Sequence, residues 1–274
     1  MRRTTLLIPF ALTSALHAST TPIDANASLL LDETPEPQRD PLAYRAAITP
    51  IVWWSALSAE IEIAPNASFN TQDFDADEPT IAVGGEARID TERLTFALAG
   101  FHRSDDLDNI AVTDRVGPIA PGSRADWEID FTSVSFTAGY RFEDLLPEDD
   151  VGLRFDVYGG VRAFDVDFTI ASGANTLGFD ESWATPVVGG RMRLELPHDF
   201  DLLVDADIGF LPLGDTTTST WSIFAGFGYH PTPNLGVRVG FRHLAFRYLD
   251  ESGDADDEFR GFLAGLYAGV VIRF

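Results

Sequence analysis

The last fourteen residues of the chain decide its fold. They read Gly261-Phe262-Leu263-Ala264-Gly265-Leu266-Tyr267-Ala268-Gly269-Val270-Val271-Ile272-Arg273-Phe274. Every second residue counted back from Phe274 is apolar, whereas the interleaved residues are smaller and carry the only charge, on Arg273. A period of two indicates a β-strand with one apolar face. Because a long apolar strand is an aggregation hazard at an open sheet edge but not in a closed barrel, the stretch predicts a closing barrel strand.

Upstream residues from Arg45 onward repeat this pattern in segments separated by turns. Ile81 to Ile89 and Val187 to Leu196 alternate clearly, whereas 46–63 is mixed on both faces, so its orientation stays open. The count is ten segments, and an even number returns both termini to one side of a membrane. The sequence therefore predicts an all-β fold, a single closed antiparallel transmembrane β-barrel over residues 45–274. Eight or twelve strands remain possible because the first strand and 102–127 are hard to divide.

The connections between segments alternate in length. Short ones are expected at Asp90–Arg93, Glu143–Asp150, Pro197–Phe200 and His230–Asn234, and long polar ones at Asn66–Pro79, His102–Asp126, Thr169–Ala184, Gly214–Thr220 and Asp250–Phe259. Short periplasmic turns and longer outer loops are typical of outer-membrane barrels.

The face opposite the apolar one carries charge, and we expect it to line the barrel interior. The predicted lumen network comprises Arg88, Arg141, Arg154, Arg162, Arg191, Arg193, Arg238, Arg242, Arg273, Glu86, Asp156, Glu195, Asp205 and Asp207. Buried charges need partners, and arginine forms two-pronged bonds with carboxylates. The same charges facing lipid would cost about 2–4 kcal/mol each near the midplane.

Aromatic residues cluster near the segment ends and predict girdles at the two membrane interfaces. The set is Trp53, Trp54, Trp127, Phe131, Tyr140, Phe142, Trp183, Trp221, Tyr229 and Phe274. Aromatics are also common in strands of any kind, which leaves that simpler explanation open.

Composition and the first residues bear on location and partners. The chain has 274 residues, a formal charge of −24 and no cysteine, so disulfides, zinc–thiolate sites and nucleic-acid binding are not expected. Residues 1–18 predict a signal peptide, with Arg2 and Arg3 before an apolar stretch and Ala18 at a plausible cleavage point, although Ala25 or Ala27 could also serve. Residues 19–44 predict a flexible periplasmic lead-in.

Few residues suggest chemistry. His102 and Ser104, with Asp105 nearby, could form a His/Ser/acid arrangement in an outer loop. His198 and His230 fall in predicted periplasmic turns, and His243 is expected to be a structural donor. The acidic stretch 250–258 lacks the ligand spacing of a calcium loop, so no metal or cofactor is expected.

Several strand ends pair glycine with aromatic residues, as in Ala138-Gly139-Tyr140-Arg141-Phe142, Ala225-Gly226-Phe227-Gly228-Tyr229 and Val239-Gly240-Phe241-Arg242-His243-Leu244. With the terminal Phe274, this resembles the small bacterial outer-membrane barrel superfamily of OmpA-type and OmpW-type proteins, here expected without a periplasmic domain. The resemblance implies residence in the outer membrane, contact with its lipid and lipopolysaccharide, and recognition of Phe274 by the barrel-assembly machinery.

Three functions are open at this point. The first is a non-catalytic barrel, either structural or permeable to small solutes like a porin. The second is a lipid-modifying enzyme of the deacylase or lipase type that uses His102 and Ser104. The third is a soluble lipocalin-like barrel, which would require a polar outer face.

Overall fold

The computed structural model describes residues 45–63, 67–71, 78–113, 115–142, 152–252 and 257–274. The signal peptide and lead-in expected at 1–44, and the short connection expected at 143–150, lie outside these residues. Within the described ranges, no helix has the length and hydropathy needed to cross a membrane.

The described residues form antiparallel strands, as their alternation predicts. These are β1 (Arg45–Ile63), β2 (Ala67–Asn70), β3 (Thr80–Asp90), β4 (Leu94–Ala111), β5 (Arg124–Phe142), β6 (Gly152–Ser172), β7 (Asn175–Leu196), β8 (Phe200–Leu213), β9 (Thr216–Thr232), β10 (Leu235–Asp250) and β11 (Asp257–Arg273).

The strands close into a ring in chain order. β11 returns to pair with β1, with Trp53 opposite Tyr267 and Ile48 opposite Ile272. The short β2 pairs with the last residues of β1, from Glu60 onward, beyond the point at which β3 leaves off. β2 therefore continues the position of β3, and the barrel is a closed ring of 10 antiparallel strands, which confirms the predicted fold class.

The short connections that the structure describes are as predicted, whereas the long ones differ from the prediction. At the end that carries Arg45 and Phe274 (the terminal end), short turns join the strands at 91–93, 197–199 and 233–234. At the opposite end (the distal end), the loop expected at Thr169–Ala184 is wrong, because β6 and β7 run through it to a two-residue turn at Gly173. Likewise, only residues 214–215 of the loop expected at Gly214–Thr220 form a turn, because β9 begins at Thr216. Positive φ values of 61° and 62° at these glycines permit such tight hairpins.

Two more of the expected loops are shorter than predicted, because the strands that flank them extend into them. β4 and β5 occupy most of His102–Asp126 and leave a connection at 112–123, and β11 already begins at Asp257. These segments are rich in aspartate and look like loops, but their polar residues alternate with apolar ones. Much of these four predicted loops therefore continues the barrel wall. Residues 66 and 72–77 of the fifth, expected at Asn66–Pro79, lie outside the described residues.

The environment outside the wall divides the barrel into two sections. In the belt section, nearer the terminal end, the outward side chains are apolar, as at Val134 and Phe136 of β5. In the distal section the outward side chains of the same strand are polar, as at Glu128 and Asp130. An apolar belt of this extent around a protein is typical of contact with hydrocarbon. It also excludes the soluble barrel, which requires a polar outer face throughout.

Inside the wall the pattern is reversed, so the distal section has an apolar core. Phe131 is fully buried and its ring centroid lies 4.9 Å from Phe246 and 5.9 Å from Phe164. Trp183 stacks on Phe164 at 5.1 Å, and Trp53 meets Phe101 edge-on at 5.1 Å. This aromatic core fills the interior of the distal section.

The aromatic core corrects part of the girdle prediction. Trp53, Trp127, Phe131 and Trp183 point inward and are buried, with exposures of 0%, 2%, 0% and 7%. The other six members of the set, Trp54, Tyr140, Phe142, Trp221, Tyr229 and Phe274, are exposed on the outside. The four buried rings lie on the inward parity of their strands, where aromatic burial contributes to the core rather than to an interface.

Candidate functional site in the barrel interior

The charged residues of the inner wall of the belt section come from seven strands, β3, β5, β6, β7, β8, β10 and β11. Because side chains alternate along a strand, residues spaced by two share a face, and each of the fourteen predicted lumen residues lies on the inward parity of its strand. The residues fall into three groups joined by hydrogen bonds and ion pairs, and one pair of arginines that has neither with the described residues.

The first group is a quartet of two arginines and two aspartates between β3, β5 and β6. Arg88 contacts Asp90 through Nε at 2.8 Å and Asp156 through Nη2 at 2.5 Å. Arg141 contacts the same two carboxylates, each at 2.9 Å. Each arginine therefore contacts both aspartates inside the barrel, and these contacts offset the loss of hydration of the four charges.

The second group lies deeper, between β6, β7 and β8. Arg162 forms two parallel bonds to Asp207, at 2.8 and 2.7 Å, and both side chains are only 5% exposed. Arg191 bonds to Asp205, which also accepts a hydrogen bond of 2.5 Å from the Tyr158 hydroxyl. Glu86 lies 3.6 Å from Arg191. These contacts tie three neighbouring strands to β3 across the lumen.

The third group lies near the terminal end. His230 Nε2 lies 2.8 Å from Asp201 and 2.9 Å from the guanidinium of Arg273. His230 belongs to β9 and is turned inward, so its assignment to a surface turn is wrong. Arg193 reaches Asp201 at 3.7 Å. At the rim, Arg154 pairs with Glu195 at 3.1 Å, with both side chains partly exposed.

Two lumen arginines have no such partners. Arg238 and Arg242 lie on the inward face of β10 with Gly240 between them. No hydrogen bond or ion pair joins either guanidinium to a residue that the structure describes, and the Nε of Arg242 is buried without a partner. The guanidinium carbon of Arg242 instead lies 5.4 Å from the ring centroid of Trp53 and 6.0 Å from that of Phe101. A cavity of about 70 Å³ lies beside both arginines.

Sequence reasoning missed four members of these groups, namely Asp90, Tyr158, Asp201 and His230. The parity rule could have found the two aspartates, because Asp90 continues the series of Glu86 and Arg88, and Asp201 that of Asp205. No sequence signal distinguishes His230 from a turn residue, because it lies at the very end of its strand.

The residues of the catalytic hypothesis lie elsewhere, on the outer wall of the distal section. His102 and Ser104 are on the outward parity of β4. His102 Nδ1 lies 3.0 Å from the Thr132 hydroxyl, and Nε2 lies 3.8 Å from Asp130. Among the described contacts, the imidazole of His102 makes none with Ser104. A serine nucleophile requires its base within about 2.6–3.2 Å, so the two are not arranged as a reacting pair.

His243 is not a structural hydrogen-bond donor as expected. Its ring lies on the outside of β10, stacked between Trp221 at 4.4 Å and Phe262 at 5.1 Å. Its Nδ1 has no hydrogen-bond partner among the described residues. The three rings form an aromatic patch near the boundary between belt and distal sections.

The outer wall of the distal section carries a row of like charges. Asp130, Asp167 and Asp180 are directly opposite one another on β5, β6 and β7, and all face outward. Like charges in direct register weaken strand pairing. In the described part of the chain no three His, Cys, Asp or Glu side chains are arranged to hold a metal ion.

Inside the distal section, the pKa of Tyr248 is shifted by its surroundings. The Tyr248 hydroxyl donates a hydrogen bond of 3.3 Å to Glu181, at the edge of the aromatic core. Burial, followed by the negative charge of Glu181, raises the pKa of Tyr248 to about 12. The hydroxyl therefore remains a neutral donor over the physiological range.

Several solved structures are similar to this chain. The outer membrane protease OmpT from Escherichia coli has 13% identity and a TM-score of 0.47, over 85% of this chain and 97% of that one. The attachment invasion locus protein Ail of Yersinia pestis has 13% identity and a TM-score of 0.32, over 84% and 99%. The N-terminal β-barrel domain of OprF from Pseudomonas aeruginosa has 13% identity and a TM-score of 0.30, over 83% and 97%. A search of curated proteins found no match.

A family model provides the assignment. The model described as the outer membrane protein beta-barrel domain matches residues 55–274, which is most of the chain and nearly all of the barrel. The match agrees with the closed ring, the apolar belt and the charged interior, and it confirms the resemblance to outer-membrane barrels. The chain therefore belongs to the outer membrane protein beta-barrel domain family, whose place is the outer membrane.

Proposed function

We propose that this protein is a non-catalytic, structural barrel of the outer membrane that does not conduct solutes freely. The observation that carries the proposal is a filled interior in both sections of the barrel. Of the two forms of the non-catalytic hypothesis, structural and porin-like, this favours the structural one.

The distal section contributes an apolar plug. The rings of Trp53, Phe131, Phe164 and Phe259 are almost completely buried, and they pack at the centroid distances of about 5–6 Å that are typical of close aromatic contact. Ions or polar solutes would have to cross this apolar layer without hydration, which is unfavourable.

The belt section contributes a polar plug. Its ion pairs cross the lumen between strands, and the cavities left between them have volumes of about 70, 20 and 10 Å³. A single water molecule needs about 10–15 Å³ of such space, so the two smaller cavities hold one or two waters each. This interior matches the size class in which side chains nearly fill a barrel.

Orientation and assembly follow from the same architecture. We infer that the terminal end faces the periplasm and the distal section stands outside the cell, because outer-membrane barrels place their short turns inside. Export by the signal peptide at 1–18 precedes insertion. Phe274, exposed at the end of the closing strand with its backbone N–H bonded to Ala46, is the element we propose the assembly machinery recognises. The apolar belt then contacts lipid, and the distal wall contacts lipopolysaccharide.

Planar-bilayer recording tests the structural proposal. Refolded protein that resists unfolding in unboiled gel samples should give no stepwise conductance at any voltage. Stable conductance steps from folded protein would instead support the porin-like form. Lipase and deacylase assays on the same preparation, with His102→Ala as the control, should show no activity, and activity lost in that variant would support the enzyme hypothesis.

Thiol labelling tests the orientation. Because the chain has no cysteine, one introduced cysteine is the only thiol. Asp180→Cys in the distal section should react with a membrane-impermeant reagent on intact cells, whereas Glu92→Cys in the 91–93 turn should react only after the membrane is opened. The reverse pattern would overturn the inferred orientation.

A further inference from the structure

The starting point is a pair of buried arginines that form no hydrogen bond or close ion pair with the described residues. Arg238 is 7% exposed, and the Nε of Arg242 is enclosed without a hydrogen-bond partner. Neither guanidinium bonds to a protein atom of the described residues. A guanidinium presents five N–H donors, and burying it without a partner is costly. A negatively charged group bound beside these two arginines would therefore be strongly stabilised.

The carboxylates nearby are too few to neutralise every arginine beside the cavity. The cavity lining contains four arginines but three carboxylates, Glu86, Asp205 and Asp207. Asp207 is held by both prongs of Arg162, and Asp205 is held by Arg191. Glu86 lies 3.6 Å from Arg191, and its single negative charge also acts on Arg238 and Arg242. At neutral pH the lining therefore has one positive charge in excess. The rings beneath Arg242 contact only its flat face and leave the N–H edge free.

The space beside the two arginines fits a small ligand. The cavity volume of about 70 Å³ corresponds to roughly five water-sized groups. A tetrahedral oxyanion has five heavy atoms. Hydroxyl groups of Ser222 and Tyr267 also line the cavity and can donate hydrogen bonds. Arginine forks match the spacing of oxygens on phosphate-like anions better than they match a spherical halide.

We propose that this cavity is a binding site for one small inorganic oxyanion of the phosphate or sulfate class, held by Arg238 and Arg242. The anion neutralises the excess charge of the lining and satisfies the free N–H groups. This function is additional to the structural role proposed above and does not depend on it, because a site with one entrance requires no conduction through the barrel.

The arrangement of arginines indicates where the anion enters. A second, smaller cavity toward the terminal end is lined by five arginines and one aspartate, and it shares Arg191 with the first. It leads to the rim pair of Arg154 and Glu195, whose side chains are 31% and 42% exposed. The aromatic core closes the other direction. The anion therefore enters from the terminal end, and the arginine side chains there must move aside to admit it, because the cavity between them, of about 10 Å³, holds only about one water molecule.

Equilibrium dialysis of radiolabelled sulfate and phosphate against the refolded full barrel in detergent tests the site. The wild type should bind about one anion per chain, and sodium chloride at equal ionic strength should compete weakly. Arg238→Gln and Arg242→Gln should each weaken binding at least tenfold. Arg260→Gln is the matched control, because Arg260 lies on the outer wall and pairs with Glu60 at 2.7 Å, and it should leave binding unchanged.

Controls for correct folding separate a loss of binding from a loss of structure. Variants are compared only when unboiled samples retain the mobility of the folded barrel, and Arg238→Lys, which keeps the charge, replaces a glutamine variant that fails to fold. Sulfate should raise the thermal midpoint of the wild type and of Arg260→Gln, with a smaller rise in Arg238→Lys. Folded wild type that binds neither oxyanion, variants that bind as well as the wild type, or chloride that competes equally would each overturn the oxyanion site.

Discussion

The bond between Arg162 and Asp207 provides the most stringent test of how the belt section is held together. The two residues belong to β6 and β8, with β7 between them, so their bond spans a strand that neither occupies. We predict that Asp207→Asn strongly destabilises the barrel, because the buried guanidinium of Arg162 loses its counter-ion while its hydrogen bond to Thr220, at 3.2 Å, cannot neutralise the charge.

The size of the effect follows from the geometry. With charge centres about 4 Å apart and an effective dielectric constant of about 20, the attraction amounts to about 4 kcal/mol. Breaking a buried pair by removing one partner costs about 3–5 kcal/mol in other proteins. The double variant Arg162→Met/Asp207→Leu removes both charges and should recover most of this loss, because apolar replacements of a buried pair are often neutral or stabilising.

Equilibrium unfolding by urea in lipid vesicles measures these differences. The matched control is Glu195→Gln at the rim, where the pair with Arg154 is partly exposed, and its loss should be no more than about 1 kcal/mol. An Asp207→Asn variant as stable as the rim control would refute the claim that lumen pairs are desolvated. A double variant less stable than Asp207→Asn would show that the bond is favourable in net terms.

Three further predictions concern the wall and the aromatic core. Asp167→Asn, in the middle of the aspartate row, should stabilise the barrel by about 0.2–1 kcal/mol, and the gain should shrink as salt is raised, because like charges face each other across the strands; a gain that does not depend on salt would contradict this. Phe131→Ala should cost about 3–5 kcal/mol in unfolding free energy, because the ring is completely buried, whereas Phe136→Ala on the outward face of the same strand should cost clearly less; equal losses would contradict the inward placement. Val157→Arg in the belt should cost about 2–4 kcal/mol in vesicles, whereas Asp165→Arg, further along β6 on the same face, should be tolerated; similar losses at both sites would move the boundary of the belt.

The sequence predicted the orientation of the side chains correctly in the belt section but not in the distal section. In the belt section, alternation alone indicated which residues face lipid, because only one parity is apolar over Phe262 to Phe274 and its counterparts. In the distal section the period is the same, but the apolar parity faces inward because water replaces lipid outside. The sequence pattern shows the period of the side chains but not whether water or lipid lies outside, so aspartates such as Asp106 and Asp180 were interpreted as loop residues.

For the candidate site, likewise, the sequence indicated the charged interior but not how its charges pair. The excess of arginine on one parity indicated a charged interior, but no sequence pattern identified the two arginines that lack partners. Arg162 and Asp207 are 45 positions apart, and their contact depends on the register of three strands. His102 and Ser104, close in sequence, face outward and do not meet in a catalytic pair.

The sequence by itself determined that strands alternate, that their ends meet in a barrel and that charge gathers on one parity, because these properties depend only on the period of the side chains along an extended chain. The tertiary structure alone decided which carboxylate each arginine meets and which arginines are left without one. Closure and strand register bring residues together from distant parts of the chain, and the burial that results decides how much each charge matters.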